Sequence, residues 1–165
     1  MQLKLSKLYI IIFIISSFIT FAYSADYNSV KEKALILKDG SEQDKIEAVQ
    51  EFGRLSSNAN FIIDDLIFSL RNDKSHEVRM EIIRALERIG GQANKTVPAL
   101  IEALGDENWE IRWSAAGALT SFGKKSAMAV PELVGLLRDP EDYVRNAALS
   151  TLGKMGPISV AAMMD

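Results

Sequence analysis

Three segments constrain this chain more than anything else in it: "DKSHEVRMEIIRALERIG" (Asp73 to Gly90), "DENWEIRWSAAGALTSFG" (Asp106 to Gly123) and "DPEDYVRNAALSTLGKMG" (Asp139 to Gly156) start 33 residues apart. Each opens on Asp, carries an aliphatic–Arg pair five and six residues later, continues with apolar positions and closes on Gly. Between them "TVPALIEALGD" (Thr96 to Asp106) and "AVPELVGLLRD" (Ala129 to Asp139) recur at the same step. A weaker copy, "DGSEQDKIEAVQEFGRLS", precedes them, with Lys45 in the place of the arginine and a step of 34 from Lys45 to Arg79. One such unit cannot bury its own apolar face. A fixed period of this length therefore predicts a row of stacked units, each leaning on its neighbours.

Within a unit the periodicity is helical. Val97, Leu100, Ile101 and Leu104 form an i, i+3, i+4, i+7 stripe, repeated by Val130, Leu133, Val134 and Leu137, and each stripe predicts a short helix A. Pro98 and Pro131 are expected in the first turn of that helix, where a missing N–H is harmless. A second helix, B, is expected to bury Ile111, Ala115, Ala116, Leu119 and Phe122 in the third unit, and Val144, Ala148, Leu149, Leu152 and Met155 in the fourth. Asp73, Asp106 and Asp139 stand where helix B would need a cap. Gly90, Gly123 and Gly156 follow its last apolar residue, where a left-handed residue belongs. Small residues (Ala115, Ala116, Ala118, Ala147, Ala148) permit close approach of neighbouring helices.

The first 24 residues stand apart. Lys4 and Lys7 precede an apolar run from Leu8 to Tyr23, and Ala22-Tyr23-Ser24 resembles a small-x-small cleavage site. This predicts a signal peptide cut after Ser24 and an exported chain, periplasmic or secreted. The run is short of the ~20 residues that a spanning helix needs. The alternative is an uncleaved membrane anchor. The remainder, 25–165, holds 17 basic and 22 acidic side chains, a balance unsuited to neutralising a long track of phosphates. The chain has no cysteine, so disulfides, thiolate metal sites and cysteine nucleophiles are excluded.

The repeated pattern D-x-x-x-x-[VI]-R, A-[AL]-x-x-L, G, then VP-x-L-[IV]-x-L-L resembles HEAT repeats, in particular the short class of the phycobilisome lyases. The resemblance covers Val30 to Gly156. It implies an all-α, right-handed α-solenoid of about four hairpins: 28–56, 60–90, 96–123 and 129–156. Residues 157–165 would be a partial capping helix. For the recurring charges (Asp39, Asp73, Asp106 and Asp139; Lys45, Arg79, Arg112 and Arg145) the resemblance implies a structural ladder tying turn to helix and unit to unit. The guanidinium fork suits that task.

Candidates for chemistry are few. His76-Glu77 resembles a single one of the His-Glu pairs that recur on several helices of HEAT-like di-iron hydroxylases, but it precedes Val78-Arg79 rather than following it, and the chain has no second histidine. His76 is expected to be a solvated turn residue. Trp109, Trp113, Asp106 and Arg79 resemble the cluster of HEAT-like DNA glycosylases, which the acidic balance disfavours. "NKT" at Asn94 to Thr96 is a glycosylation sequon, expected in a loop. In register, Trp113 aligns with Ile46, Met80 and Asn146, and Trp109 with His76 and Asp142, outside the core rows. Met80, Arg84, Arg88, Trp109 and Trp113 therefore form the candidate partner-binding surface, on the concave helix-B face. Large aromatics and Arg dominate such sites. The bland reading is that Trp113 closes a gap over Gly117 and Trp109 packs on a turn. The expected function is a monomeric, non-enzymatic scaffold for a protein or peptide, with no cofactor, metal, nucleic acid or small-molecule substrate. The alternative is a subunit of a lyase- or hydroxylase-type enzyme.

Overall fold

The computed structural model describes residues 29–157, and its regular elements there are all helical. They are α1 (29–34), α2 (Ile36–Asp39), α3 (Glu42–Arg54), α4 (Ile63–Asn72), α5 (His76–Ile89), α6 (Ala93–Ala103), α7 (Trp109–Leu119), α8 (Val130–Leu136) and α9 (Asp142–Met155). Segments of 3₁₀ turn cover Ser56–Ile62 and Thr120–Ala129. The helices form four successive hairpins in which α3, α5, α7 and α9 take the B position. The expected signal segment 1–24 lies outside the described residues, as does the expected cap beyond Pro157.

The core follows the repeat. Val97, Leu100, Leu104, Val130 and Leu133 are buried on the A helices, while Ile111, Ala115, Ala116, Leu119 and Phe122 are buried in the third B segment. In α9, Val144, Ala148 and Leu152 are buried, but Leu149 is 61% exposed, contrary to expectation. Its equivalents one and two units back, Ala116 and Ile83, are fully buried. The difference is whether a neighbouring hairpin packs on that row. The hydroxyl of Thr151 in α9 donates to the Ala116 carbonyl at 2.8 Å, so α9 covers that side of α7. No described hairpin covers α9 in turn.

Close packing of the first two B helices rests on Gly53, where a Cβ would lie 3.3 Å from the Ala85 Cα. At the helix ends Gly90 takes the left-handed conformation expected of it (φ 63°, ψ 4°). Gly123 and Gly156 also have positive φ, but with ψ of −128° and −135°, a region that only glycine enters readily. Two further expectations need correction. Pro131 does sit at the start of α8, but α6 begins at Ala93, so Pro98 lies inside the helix. The sequon is likewise in the first turn of α6 rather than in a loop, with Thr96 fully buried and donating to the Gly91 carbonyl.

The Asp residues of the turns do not cap helix B themselves. Ser75 and Asn108 occupy the N-cap positions and accept from Val78 N–H and Glu110 N–H. The aspartates lie two residues earlier, where Oδ1 accepts the N–H of Ser75 (3.0 Å), Asn108 (2.9 Å) or Glu141 (3.0 Å) and closes the turn. Their other contacts run between units. Arg79 donates Nε and Nη2 to the Asp106 carboxylate at 3.0 and 2.9 Å, and Nη1 to the carbonyls of Asp73 and Lys74 in its own turn. Arg112 repeats this on Asp139 (2.7 and 3.0 Å) and on the carbonyls of Asp106 and Glu107. Lys45 reaches Asp73 at 2.8 Å. Arg145 holds the Asp139 and Pro140 carbonyls and pairs with Asp142. Asp39 takes no such donor among the described residues, because Lys45 reaches forward to Asp73 rather than back. The Arg112 guanidinium, helped by the Glu141 N–H, holds the Asp139 carboxyl below the usual aspartate range against the opposing effect of burial. Asp139 reciprocally raises Arg112.

Candidate interaction surface

The B helices touch their neighbours in the stack far more extensively than the A helices do, which puts the B row on the inner side of any curve the stack describes. Three residue rows run along that side. One is Ile46, Met80, Trp113 and Asn146; one turn on come Gln50, Arg84, Gly117 and Ser150; a further turn on come Arg54, Arg88, Ser121 and Lys154.

Trp113 is 42% exposed. It does not close a gap over Gly117, since a Cβ there would meet nothing within 4 Å. Met80 is half-buried against the core, and Arg84 Nη2 lies 3.6 Å from its sulfur while Nη1 pairs with Glu81. Arg84 and Arg88, with Arg54, Gln50 and Glu81, line an open groove of about 430 Å³. Met80, Arg84 and Arg88 are thus brought together, and Trp113 takes the register position of Met80 on the following B helix.

Trp109 is placed differently. Its ring stacks on Tyr143 of the next unit, centroids 5.5 Å apart and planes at 25°. It is half-buried and bridges units. His76 occupies the same position one unit earlier, and its Nε2 lies 3.7 Å from Glu110, again 34 residues on, and 3.2 Å from Glu77. Glu77 is held below the usual glutamate range, first by its own backbone N–H and then by the Ser75 hydroxyl. Position 76 or 109 therefore meets the following residue's equivalent one unit on. Tyr143 was not among the residues singled out from sequence, although that 34-residue diagonal was available as a signal.

A cavity of about 580 Å³ lies on the turn side of the second and third units. Arg79, Asp106 and Asp73 of the ladder line it, together with the Arg71–Glu102 pair. Among the described residues no group of three or more His, Cys, Asp or Glu side chains could hold a metal ion, and no helix is long and apolar enough to cross a membrane.

Comparison with known proteins bears on the stack as a whole. A family model of HEAT repeats matches residues 97–164, and a model of the PBS lyase HEAT-like repeat matches 78–106. The chain is a HEAT-repeat protein. Among solved structures, an engineered protein is similar at TM-score 0.60 and 21% identity, covering 77% of this chain and 62% of its own. A designed armadillo repeat protein in complex with the peptide (KR)4 is similar at TM-score 0.58 and 23% identity, covering 80% and 66%. The complex of CpcE and CpcF of phycocyanin lyase from Nostoc sp. PCC7120 gives TM-score 0.54 and 17% identity, covering 81% and 68%. This HEAT-repeat chain therefore spans a little under two-thirds of the first two structures, and at these identities the likeness is one of fold. No curated protein sequence matches it.

Proposed function

We propose that this HEAT-repeat protein is a non-catalytic docking module that receives a protein or peptide on its helix-B face. The observation that carries this reading is Trp113, a large aromatic left 42% exposed, with open space at Gly117 one turn on and the Met80–Arg84 contact at the matching register of the preceding B helix. Aromatic and Arg side chains in such company are what interface hot spots are made of. A designed armadillo protein of similar fold holds a peptide, and a lyase subunit of similar fold sits in a two-protein complex, which supports the same use of the scaffold here. Monomeric action fits a face that needs no second copy to be complete. The export reading of residues 1–24 belongs to this proposal, with docking then taking place in the periplasm or outside the cell, or at the membrane if the segment stays attached.

A photo-reactive residue placed at position 113, and separately at Phe68 on the opposite, helix-A side, tests the proposal in extract of the source cells. Phe68 is 59% exposed, more open to solvent than Trp113. Protein adducts concentrated at position 113 are expected. Adducts that form equally at both positions, or only at position 68, would refute a helix-B docking face.

A further inference from the structure

The trough between the rows is lopsided. Its middle row passes from Gln50 and Arg84 to Gly117 and Ser150, and a Cβ on Gly117 would meet nothing within 4 Å. By register, the row on one side holds Met80 and Trp113, and the row on the other holds Arg54, Arg88 and Lys154. Three guanidiniums, those of Arg54, Arg84 and Arg88, share the 430 Å³ groove with a single carboxylate, Glu81, which Arg84 already engages.

Arg88 lies across α3, its Cδ 3.4 Å from where a Cβ on Gly53 would stand, which brings it beside Arg54 on the same patch. Among the described residues neither side chain has a carboxylate partner. Glu87 nearby is occupied by the Ser121 hydroxyl at 2.7 Å. An incoming carboxylate would meet two exposed cations on one groove that no acidic side chain among the described residues engages. The chain as a whole carries a net charge of −3, so this strip runs against the overall sign.

We infer that the trough takes an extended segment of a partner protein that presents carboxylates along one edge and apolar side chains along the other. The inference rests on the docking reading above and adds the partner's chemistry. Alternation is what an extended chain supplies, since successive side chains point to opposite faces. Carboxylates would seat on Arg54, Arg84 and Arg88, which offer bidentate forks. Apolar side chains would face Met80 and Trp113. A nucleic acid fits less well. Phosphates form a continuous track, whereas Glu81 and Glu87 interrupt the cations and Glu77 and Glu110 line the far end of the same helices.

Fluorescence of Trp113 in the full chain carrying Trp109→Phe reports occupation of the trough. The probes are short synthetic peptides of alternating Glu and Leu, Gln and Leu, or Lys and Leu, and a single-stranded oligonucleotide. The Glu–Leu peptide is expected to bind on the order of tenfold more tightly than the Gln–Leu peptide. High salt, or Arg54→Glu with Arg88→Glu, should remove that advantage, and Arg54→Gln with Arg88→Gln should do so in part. The Gln pair serves if charge reversal disturbs folding. Equal binding of the Glu–Leu and Gln–Leu peptides, both lost in Trp113→Ala as read by the anisotropy of dye-labelled peptides, would overturn the acidic preference and leave the docking face standing. Tightest binding of the Lys–Leu peptide or the oligonucleotide would overturn it as well. No response to any probe would remove the preference and the peptide-docking face together.

Discussion

Replacing Arg112 by Met tests what holds the third and fourth units together. Its guanidinium makes four hydrogen bonds: two to the Asp139 carboxylate and two to the carbonyls of Asp106 and Glu107. The pair is nearly shielded from water, with side-chain exposures of 13% and 5%. Methionine fills the stem's volume but leaves the Asp139 charge buried without its cation. Breaking one side of a buried pair costs about 3–5 kcal/mol. For a domain of this size that corresponds to a fall in Tm of roughly 10–20 °C. Arg71 supplies the control. It makes the same two-pronged contact with Glu102, but at 50% and 55% exposure. Arg71→Met should cost only about 0–1 kcal/mol. Thermal unfolding followed by circular dichroism at 222 nm distinguishes the two. The depressed Asp139 carboxyl adds a pH signature. Its stabilising contribution is present above the ordinary aspartate value of about 3.9 and is lost as pH falls through the lower, folded value. The gap between wild type and Arg112→Met should therefore shrink below about pH 4. Equal losses for Arg112→Met and Arg71→Met, or a gap indifferent to acid, would refute the ladder as the inter-unit tie.

Other substitutions probe packing and the buried polar network. Leu119→Ala removes a fully buried side chain from α7 and should cost about 2–5 kcal/mol in urea unfolding. Thr151→Val keeps the shape but deletes the bond to the Ala116 carbonyl and the 3.1 Å contact with the Thr120 hydroxyl. It should cost about 1–2 kcal/mol in the same assay, with no change in helical content.

Periodicity made the hairpins legible because a helix that buries one stripe must repeat apolar residues at helical spacing, and a stack must repeat the whole unit. The register even separated Trp113 from the core rows. What it missed depends on neighbours. Leu149 was expected inside because its equivalents are, yet burial of that row requires a following hairpin. The aspartates were expected to cap helix B. The true caps, Ser75 and Asn108, stand two residues on and are good cap formers in their own right, a competing signal that the repeat alignment obscured. Trp109 was grouped with Trp113 because they share a helix face. Its stack on Tyr143 runs diagonally between units, a contact that aligning identical positions does not display. Arg54 was visible in register, but only the groove it shares with Arg84 and Arg88 makes it part of the candidate surface.

Accessibility of the two indoles in solution tests most directly whether stacked hairpins leave the inner row uncovered. Acrylamide quenching of the single-tryptophan chains Trp109→Phe and Trp113→Phe measures it. Trp113 alone should emit at long wavelength and be quenched readily, while Trp109, shielded by Tyr143, should be quenched less. A Trp113 that emits at short wavelength and resists acrylamide would place it between hairpins and leave no docking row to explain.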